Sequence, residues 1–168
     1  MNQERIKNAI AFASNVAVVV TAIVILISFA RGYRPTPRLS LQGGLRKGAA
    51  FPQLPAIDFS KSQKTLLVAM DSKCDYCNES LPFFKNLAEN IRARSNDARV
   101  IALFQSEESK RYVEQNQLNM DVVFGVDFKA LNLSAIPAII LIDNNGTILD
   151  LWFGKPSKNS EEQIIKGL

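Results

Sequence analysis

Apolar runs of strand length alternate with stretches of helical spacing from about residue 64 onward. The runs at 64–70, 100–104 and 122–124 contain few polar residues, which is typical of strands buried inside a parallel sheet. After the first run, a helix is predicted to begin near Cys74. Its apolar residues fall on one face: Phe84, Leu87, Ala88 and Ile91. Ser106, followed by two glutamates, predicts the start of a second, more polar helix.

The last part of the chain predicts a β-hairpin followed by a helix. Apolar runs at 138–142 and 148–153 flank Asn144-Asn145-Gly146, a sequence that favours a tight hairpin turn. Ser160 and Gln163 have the spacing of a capping box at the start of a terminal helix. Alternating elements followed by an antiparallel hairpin predict an α/β domain over residues 49–168, with a mixed central sheet and helices on both faces.

The N-terminal region has a different pattern. Residues 9–30 form an uncharged segment of 22 residues, and a helix of this length would cross about 33 Å, enough for a bilayer core. One N-terminal transmembrane helix is therefore predicted after a short flank at 1–8. A cleaved signal peptide ending near Ser28-Phe29-Ala30 is the alternative, but the apolar run exceeds the usual 7–15 residues or so. Residues 31–48, rich in Pro, Gly and basic side chains, predict a flexible tether.

Charge is distributed unevenly between these regions. Residues 1–48 hold seven basic side chains and one acidic one, whereas residues 49–168 hold thirteen and fifteen. The domain thus lacks the basic surface that nucleic acid binding requires, and no nucleic acid partner is predicted. Two basic residues precede the apolar segment and five follow it, so the positive-inside rule alone places the domain in the cytoplasm. A pair of neighbouring cysteines favours the extracytoplasmic, periplasmic side, where disulfides form and persist, and we expect the domain there.

Histidine is absent, and only two cysteines occur, Cys74 and Cys77. This composition excludes Ser-His-Asp triads, histidine-ligated zinc and imidazole acid-base catalysis. A four-cysteine zinc site within one chain is excluded as well. Neither an organic cofactor nor a resident metal is predicted.

The two cysteines lie at positions i and i+3 of the predicted helix start, close enough to form a reversible disulfide. Unpaired N–H groups at a helix N-terminus favour thiolate, so Cys74 is predicted to be the nucleophile. Cys77, one turn further along, is predicted to be more buried and to resolve a mixed disulfide by attacking the bond to Cys74. The pattern therefore predicts a thiol-disulfide exchange enzyme.

With its surroundings, this motif resembles the thioredoxin superfamily, and more closely the membrane-anchored bacterial TlpA/ResA-like thiol-disulfide oxidoreductases. The resemblance covers about residues 49–155. It includes Pro82, five residues after the second cysteine, Ile136-Pro137 before a strand, and Gly154 near the end of the last strand. It implies a thioredoxin-like fold in which Pro137 follows a cis peptide bond, faces the cysteines and, with Ile136, shapes the substrate-binding edge. It also implies protein thiols and disulfides as substrates, with cytochrome c maturation as one candidate process.

Three positions depart from the family pattern. Lys73 replaces the usual Trp before the first cysteine, and Val68 stands where thioredoxin has a buried acid. TlpA/ResA-like proteins often have an acid three residues after the second cysteine, where this chain has Ser80, with Glu79 one position away. These differences bear on proton transfer and redox potential, not on the exchange reaction itself.

Three residues around the cysteines, Lys73, Asp75 and Tyr76, are predicted to tune the redox behaviour of the pair. The carboxylates of Asp75 and Asp71 disfavour a second negative charge at Cys74, and Lys73 offsets part of that effect. Weak stabilisation of the thiolate predicts a reductant-leaning or intermediate potential. Outside the cytoplasm, such an enzyme requires electrons from a partner in the membrane.

Other uses of two neighbouring cysteines remain open at this point. Soft thiolates suit Cu(I), so a copper-binding or copper-delivery protein is the main alternative. A structural disulfide is less favoured, because so short a loop constrains the unfolded chain little. A peroxidase of the peroxiredoxin type is disfavoured by Asp71, which occupies the position of that family's Thr.

Overall fold

The computed structural model describes residues 44–94 and 97–168. The predicted flank at 1–8, the predicted transmembrane helix at 9–30 and most of the predicted tether lie outside these ranges. Within them, no helix combines the length and apolar character needed to cross a membrane. Gly48, at the end of the predicted tether, already contacts the domain, because its N–H donates to the Ile148 carbonyl at 2.8 Å.

The order of elements follows the predicted alternation. The strands and helices are β1 (Lys64–Ala69), α1 (Asp75–Arg94), β2 (Ala98–Leu103), α2 (Lys110–Gln115), β3 (Asp121–Val123), β4 (Ala138–Asp143), β5 (Ile148–Phe153) and α3 (Lys158–Gly167). Short 3₁₀ helices lie at Phe59–Lys61 and Glu107–Ser109. The side chain of Ser106 caps the second of these, so the polar helix predicted there begins as one 3₁₀ turn and continues as α2.

The five strands form one mixed sheet in the order β3-β2-β1-β4-β5. β1, β2 and β3 are parallel, β4 runs antiparallel to β1, and β5 runs antiparallel to β4. Ala69, the last residue of β1, pairs with Ala138, the first residue of β4. The antiparallel register therefore brings the loop that carries Cys74 beside the loop that ends at Pro137.

Two hydrophobic clusters cover the two faces of the sheet. The first face is covered by helices: α1 contributes Cys77, Leu81 and Phe84, α3 contributes Ile164, and α2 packs there with half-buried Tyr112. The second face is covered in the described residues by irregular segments that contribute Phe51, Ile57, Phe59, Val126, Phe128 and Leu131. The prediction of helices on both faces is therefore wrong for the described residues, because α1, α2 and α3 all contribute side chains to the first face and none of them to the second.

The β4-β5 hairpin forms where the sequence predicts it. Gly146 has a φ of 82°, a conformation that glycine adopts without the penalty of a Cβ atom. Asp143 Oδ1 accepts hydrogen bonds from the N–H groups of Asn145 and Thr147, at 2.9 and 2.8 Å. The turn is therefore held by its own side chain as well as by the strand ladder.

The terminal helix begins earlier than predicted. Its N-cap is Ser157, whose Oγ accepts the N–H of Ser160 at 3.2 Å. The capping box predicted at Ser160 is wrong, because an extended serine three residues upstream already satisfies that N–H group. At the other end, Lys64 Nζ donates to the carbonyl of Gly167 at 2.6 Å, which ties the last turn of α3 to the start of β1.

Candidate redox-active site

A tight turn leads from the centre of the sheet into α1. Asp71 follows buried Met70, and its Oδ1 accepts the N–H of Lys73 at 2.8 Å. The Asp71 carbonyl accepts the N–H of Cys74 at 3.2 Å. Cys74 in turn accepts the N–H of Asn78 through its carbonyl at 3.1 Å, the first hydrogen bond of α1. Asp71 thus shapes the turn that presents Cys74 at the helix N-terminus.

The two cysteines have different environments. Cys74 is half-buried, Cys77 is completely buried, and both are free thiols. The backbone N–H of Cys77 donates to Cys74 Sγ at 3.2 Å. An unpaired N–H group at a helix N-terminus stabilises negative charge on a sulfur atom in this position. Cys74 is therefore placed to be the accessible nucleophile and Cys77 to be the protected second thiol.

The loop before β4 lies against the first cysteine. Cys74 Sγ is 3.8 Å from the carbonyl oxygen of Ile136, and the peptide bond between Ile136 and Pro137 is cis. Pro137 is buried, and its carbonyl accepts the N–H of Gly154 at 2.8 Å. The structure thus brings Cys74, Ile136 and Pro137 together where the central strand β1 ends and β4 begins, while their role in substrate binding stays a prediction.

Burial raises the pKa of the Cys77 thiol far above its ordinary value. The hydrogen bond with the Cys74 thiol raises it further, a backbone hydrogen bond with Asp71 opposes the rise, and the negative charges of Cys74 and Asp71 add to it. Cys77 therefore remains protonated at neutral pH. It must lose its proton during any step in which it attacks a disulfide.

The side chains predicted to tune the pair lie on the surface. Those of Lys73 and Asp75 are exposed, and Tyr76 is 60% exposed. Their charges are thus partly screened by solvent. Tyr76, between the two cysteines in the chain, is one of the exposed large apolar side chains of the described residues.

The two positions at which the family places an acid contain none here. Val68 is fully buried in the core, and Ser80 is buried with its hydroxyl bonded to the Tyr76 carbonyl at 2.7 Å. Glu79 is engaged on the surface in an ion pair with Lys155, at 2.7 Å. None of these three residues offers a carboxylate to Cys77.

Tyr112 on α2 is a neighbour of the cysteines that the sequence did not indicate. Its hydroxyl donates to Asn78 Oδ1 at 2.6 Å, and its ring packs edge-on against Phe104. Burial raises the pKa of Tyr112, and the charges of Cys77 and Cys74 raise it further. No sequence signal links α2 to α1, because the contact depends on how the two helices share one face of the sheet.

No group of three or more His, Cys, Asp or Glu side chains among residues 44–94 and 97–168 is arranged to hold a metal ion. Cys74 and Cys77 by themselves offer two sulfur donors. Within the described part of the chain, the copper-binding alternative therefore depends on these two sulfur atoms alone.

No protein-family model and no curated protein matches the chain. Solved structures do match it. A candidate thiol:disulfide interchange protein DsbE from Chlorobium tepidum aligns at 21% identity with a TM-score of 0.62, covering 74% of this chain and 99% of that one. A candidate thioredoxin from Neisseria meningitidis aligns at 23% identity with a TM-score of 0.55, covering 64% and 75%.

StoA from Bacillus subtilis is also similar, at 21% identity and a TM-score of 0.53, with 64% of this chain and 83% of that chain covered. At identities this low, the similarity shows the fold alone. The mixed sheet, the cysteine pair at the start of α1 and the cis peptide bond before Pro137 are consistent with that fold. The chain therefore has the thioredoxin-like fold.

Proposed function

We propose that this protein is a membrane-anchored thiol-disulfide oxidoreductase that exchanges disulfides with protein substrates through Cys74 and Cys77. The observation that carries the proposal is the asymmetry of the pair. Cys74 is accessible and accepts a backbone N–H at 3.2 Å, whereas Cys77 is completely buried one helical turn away. The solved structures with the same fold include proteins described as thiol:disulfide interchange proteins.

The reaction has two steps. Cys74 thiolate attacks one sulfur of a substrate disulfide, which releases the first substrate thiolate and leaves a mixed disulfide at Cys74. Cys77 then loses its proton and attacks Cys74 Sγ, which releases the second substrate thiolate and leaves a Cys74–Cys77 disulfide. Two electrons pass from the dithiol to the substrate, and the two thiol protons end on the released substrate thiols.

Single-cysteine variants test the two roles. Cys74→Ser should abolish exchange with a protein disulfide, whereas Cys77→Ser should form the mixed disulfide at Cys74 and stop there. Cys77→Ser should therefore trap a covalent adduct that Cys74→Ser does not form. Exchange at the wild-type rate by Cys74→Ser would contradict the proposal. So would purified protein that holds stoichiometric copper and resists thiol trapping, a result that favours the copper-binding alternative.

We also propose that the enzyme leans toward reduction. A thiol pair acts as a strong oxidant when the thiolate of its nucleophile is strongly stabilised, whereas the carboxylates of Asp71 and Asp75 next to Cys74 in the chain disfavour a further negative charge there and Lys73 offsets only part of that effect. Equilibration with glutathione, followed by alkylation of free thiols, measures the potential. A value near −120 mV, like that of the strong periplasmic oxidants, would reverse the direction that we assign.

The setting of the enzyme is part of the proposal. Residues 9–30 anchor the chain as one membrane-spanning helix, the domain lies on the extracytoplasmic side, and a membrane-bound thiol partner supplies electrons. The support is the uncharged 22-residue segment and the need of a reductant for electrons outside the cytoplasm. A C-terminal reporter that is active only after export tests the topology. Activity of a cytoplasm-specific reporter would show that the flanking charges determine orientation.

A further inference from the structure

A second concave site lies at the end of the sheet opposite the cysteines. This cavity has a volume of about 490 Å³, and its walls come from the C-terminal half of α1 and from the starts of β2 and β3. Ala98 begins β2 and Asp121 begins β3, and both strands run parallel to β1. Cys74 follows the other end of β1. The cavity is therefore separate from the redox site.

Three cationic side chains line this cavity. Lys61 ends a 3₁₀ helix, Arg92 lies in the last turn of α1, and Arg99 lies on β2. None of them forms an ion pair with a carboxylate of the described residues, and Lys61 Nζ has no hydrogen-bond partner there either. Residues 49–168 as a whole contain fifteen acidic and thirteen basic side chains. The cavity thus concentrates positive charge in a domain that is acidic overall.

The two guanidinium groups are held in place by neutral partners. Arg99 Nε donates to the buried Thr65 Oγ1 at 3.2 Å, and Arg99 Nη2 donates to the Asp58 carbonyl. Arg92 Nη1 donates to Asn119 Oδ1 at 2.9 Å. A guanidinium has five N–H donors, so these contacts use only part of each group. The remaining donors are positioned without being neutralised, which favours binding of an oxyanion.

The rest of the wall limits what kind of anion fits. Asp121 also lines the cavity, and its carboxylate would repel a long polyanion such as nucleic acid. Ile91, Leu118 and Met120 add apolar surface that an uncharged organic group can contact. Guanidinium groups match the geometry of phosphate oxygens particularly well. The cavity therefore suits a single phosphate group that is attached to an organic part.

The N-terminal segment joins the domain at this same end. The Gly48 N–H donates to the carbonyl of Ile148, the first residue of β5. Ile148 pairs with Ile142, which pairs with Thr65 near the start of β1. In the proposed membrane-anchored protein, the cavity is thus at the end of the domain that is connected to the anchor. The headgroups of anionic phospholipids are themselves phosphate esters.

We propose that this cavity binds the phosphate group of a phosphate ester, either a small soluble molecule or the headgroup of an anionic phospholipid. Arg92 and Arg99 donate to the phosphate oxygens, and Lys61 adds a third positive charge. The apolar part of the wall contacts the organic group. Binding does not require the cysteines, because they lie at the opposite end of β1.

Paired substitutions test the site. The cavity variant, Lys61→Gln/Arg92→Gln, removes two exposed cations and keeps Arg99, which also supports the buried Thr65. The control variant, Lys129→Gln/Arg111→Gln, removes the same charges from exposed positions outside the cavity. Both variants therefore have the same net charge, and only the first alters the proposed site.

The first measurement uses full-length protein in zwitterionic detergent micelles, titrated with glycerol 3-phosphate at constant ionic strength. The NMR shifts of the Asn119 and Met120 amides report binding, and the spectrum shows whether each variant is folded. Wild type and the control variant should bind alike. The cavity variant should bind about tenfold more weakly, because it loses charge-assisted hydrogen bonds. Asp121→Asn should bind more tightly, because it removes the carboxylate from the wall.

The second measurement identifies the source of the phosphate. Full-length protein is placed in bilayer nanodiscs of phosphatidylcholine, with or without phosphatidylglycerol. Shifts of the same amides that need both the anionic lipid and an intact cavity assign the site to a lipid headgroup. Binding of glycerol 3-phosphate without any response to the anionic lipid assigns it to a soluble ester.

Three results would overturn the proposal. They are no saturable shift of the wild type with either probe, equal binding by the cavity variant and the wild type, and weaker binding by Asp121→Asn. Disulfide exchange should proceed at the wild-type rate in all of these variants. Failure of the phosphate site and failure of the proposed exchange reaction are therefore separate results.

Discussion

Both faces of the sheet carry a cluster of buried apolar side chains, but different kinds of segment cover them. The first face is covered by helices and contains Cys77 among its buried side chains. The second face is covered, in the described residues, by irregular segments around Phe51–Phe59 and Val126–Leu131 and contains no cysteine. The comparison teaches that stability and thiol chemistry are separable in this fold. Both faces should contribute to the free energy of unfolding, but only the first should affect the reactivity of the cysteines.

A matched pair of leucine truncations tests that separation and should give the largest effect. Leu81 lies one turn after Cys77 on the first face, and Leu131 lies on the second; both are buried. Leu81→Ala and Leu131→Ala should each lower the free energy of unfolding by about 2–5 kcal/mol, because each leaves a cavity. Urea denaturation measures this loss. Exchange kinetics, corrected for the folded fraction, should change only in Leu81→Ala. An equal change in both variants would contradict the separation.

The pH dependence of stability gives the next largest effect. The pKa of Cys77 is higher in the folded protein than its ordinary value of 9.0, so the unfolded chain loses this proton first as pH rises. The stabilisation by the protonated thiol is therefore complete below pH 9.0 and decreases above it. The slope is at most about 1.4 kcal/mol per pH unit.

The reduced wild-type protein should accordingly lose more stability between neutral and alkaline pH than Cys77→Ala. Both proteins keep Cys74 and Tyr112, so the contributions of those groups largely cancel in the difference. Urea denaturation at a series of pH values provides the measurement. Parallel pH profiles would show that Cys77 ionises normally in the folded state.

The hydrogen bond between Tyr112 on α2 and Asn78 on α1 should contribute less to the free energy of unfolding. Tyr112→Phe removes the hydroxyl that donates to Asn78, at a cost of about 1 kcal/mol in the free energy of unfolding. A double-mutant cycle with Asn78→Ala isolates this contribution from the packing of the ring. Because the link lies beside the site, alkylation of Cys77 in the folded protein should also become faster. Additive effects in the cycle would show that the hydrogen bond does not couple the two helices.

The surface ion pair between Glu79 and Lys155 should contribute least to the free energy of unfolding. Both side chains are about half exposed, and such pairs are weakened by solvent and salt. Lys155→Gln should leave the denaturation midpoint unchanged at physiological salt. A clear loss of stability would indicate that this pair, which connects α1 to the segment after β5, is part of the first face and not only of its surface.

The sequence predicted the parts of this molecule that depend on local pattern. Periodicity and turn chemistry predict strands β1, β4 and β5, the turn at Gly146 and the position of Cys74 at the start of a helix. The cis bond before Pro137 was expected from the family resemblance alone. The placement of all three helices on the first face was not predictable, because the alternation of strands and helices does not specify which face of the sheet each helix covers.

Contacts between distant segments were the other limit. Nothing in the spacing of residues indicates that Tyr112 on α2 reaches Asn78 on α1. This contact depends on how the two helices pack on the sheet. The position of Asp71 was only partly visible: the sequence placed its charge near Cys74, whereas in the structure its backbone also forms a hydrogen bond with the Cys77 thiol.

The contact between Cys74 and Ile136 joins residues 62 positions apart in the chain. The cysteine turn belongs to a local unit of β1, α1 and β2, whereas the Ile136 carbonyl arrives only when β4 pairs with β1. During synthesis, reactive thiols therefore emerge from the ribosome well before the loop that is proposed to select their substrates. A chain whose β4 fails to pair would lack the Ile136 carbonyl beside Cys74, so the proposed substrate-binding surface forms only once β4 is in the sheet.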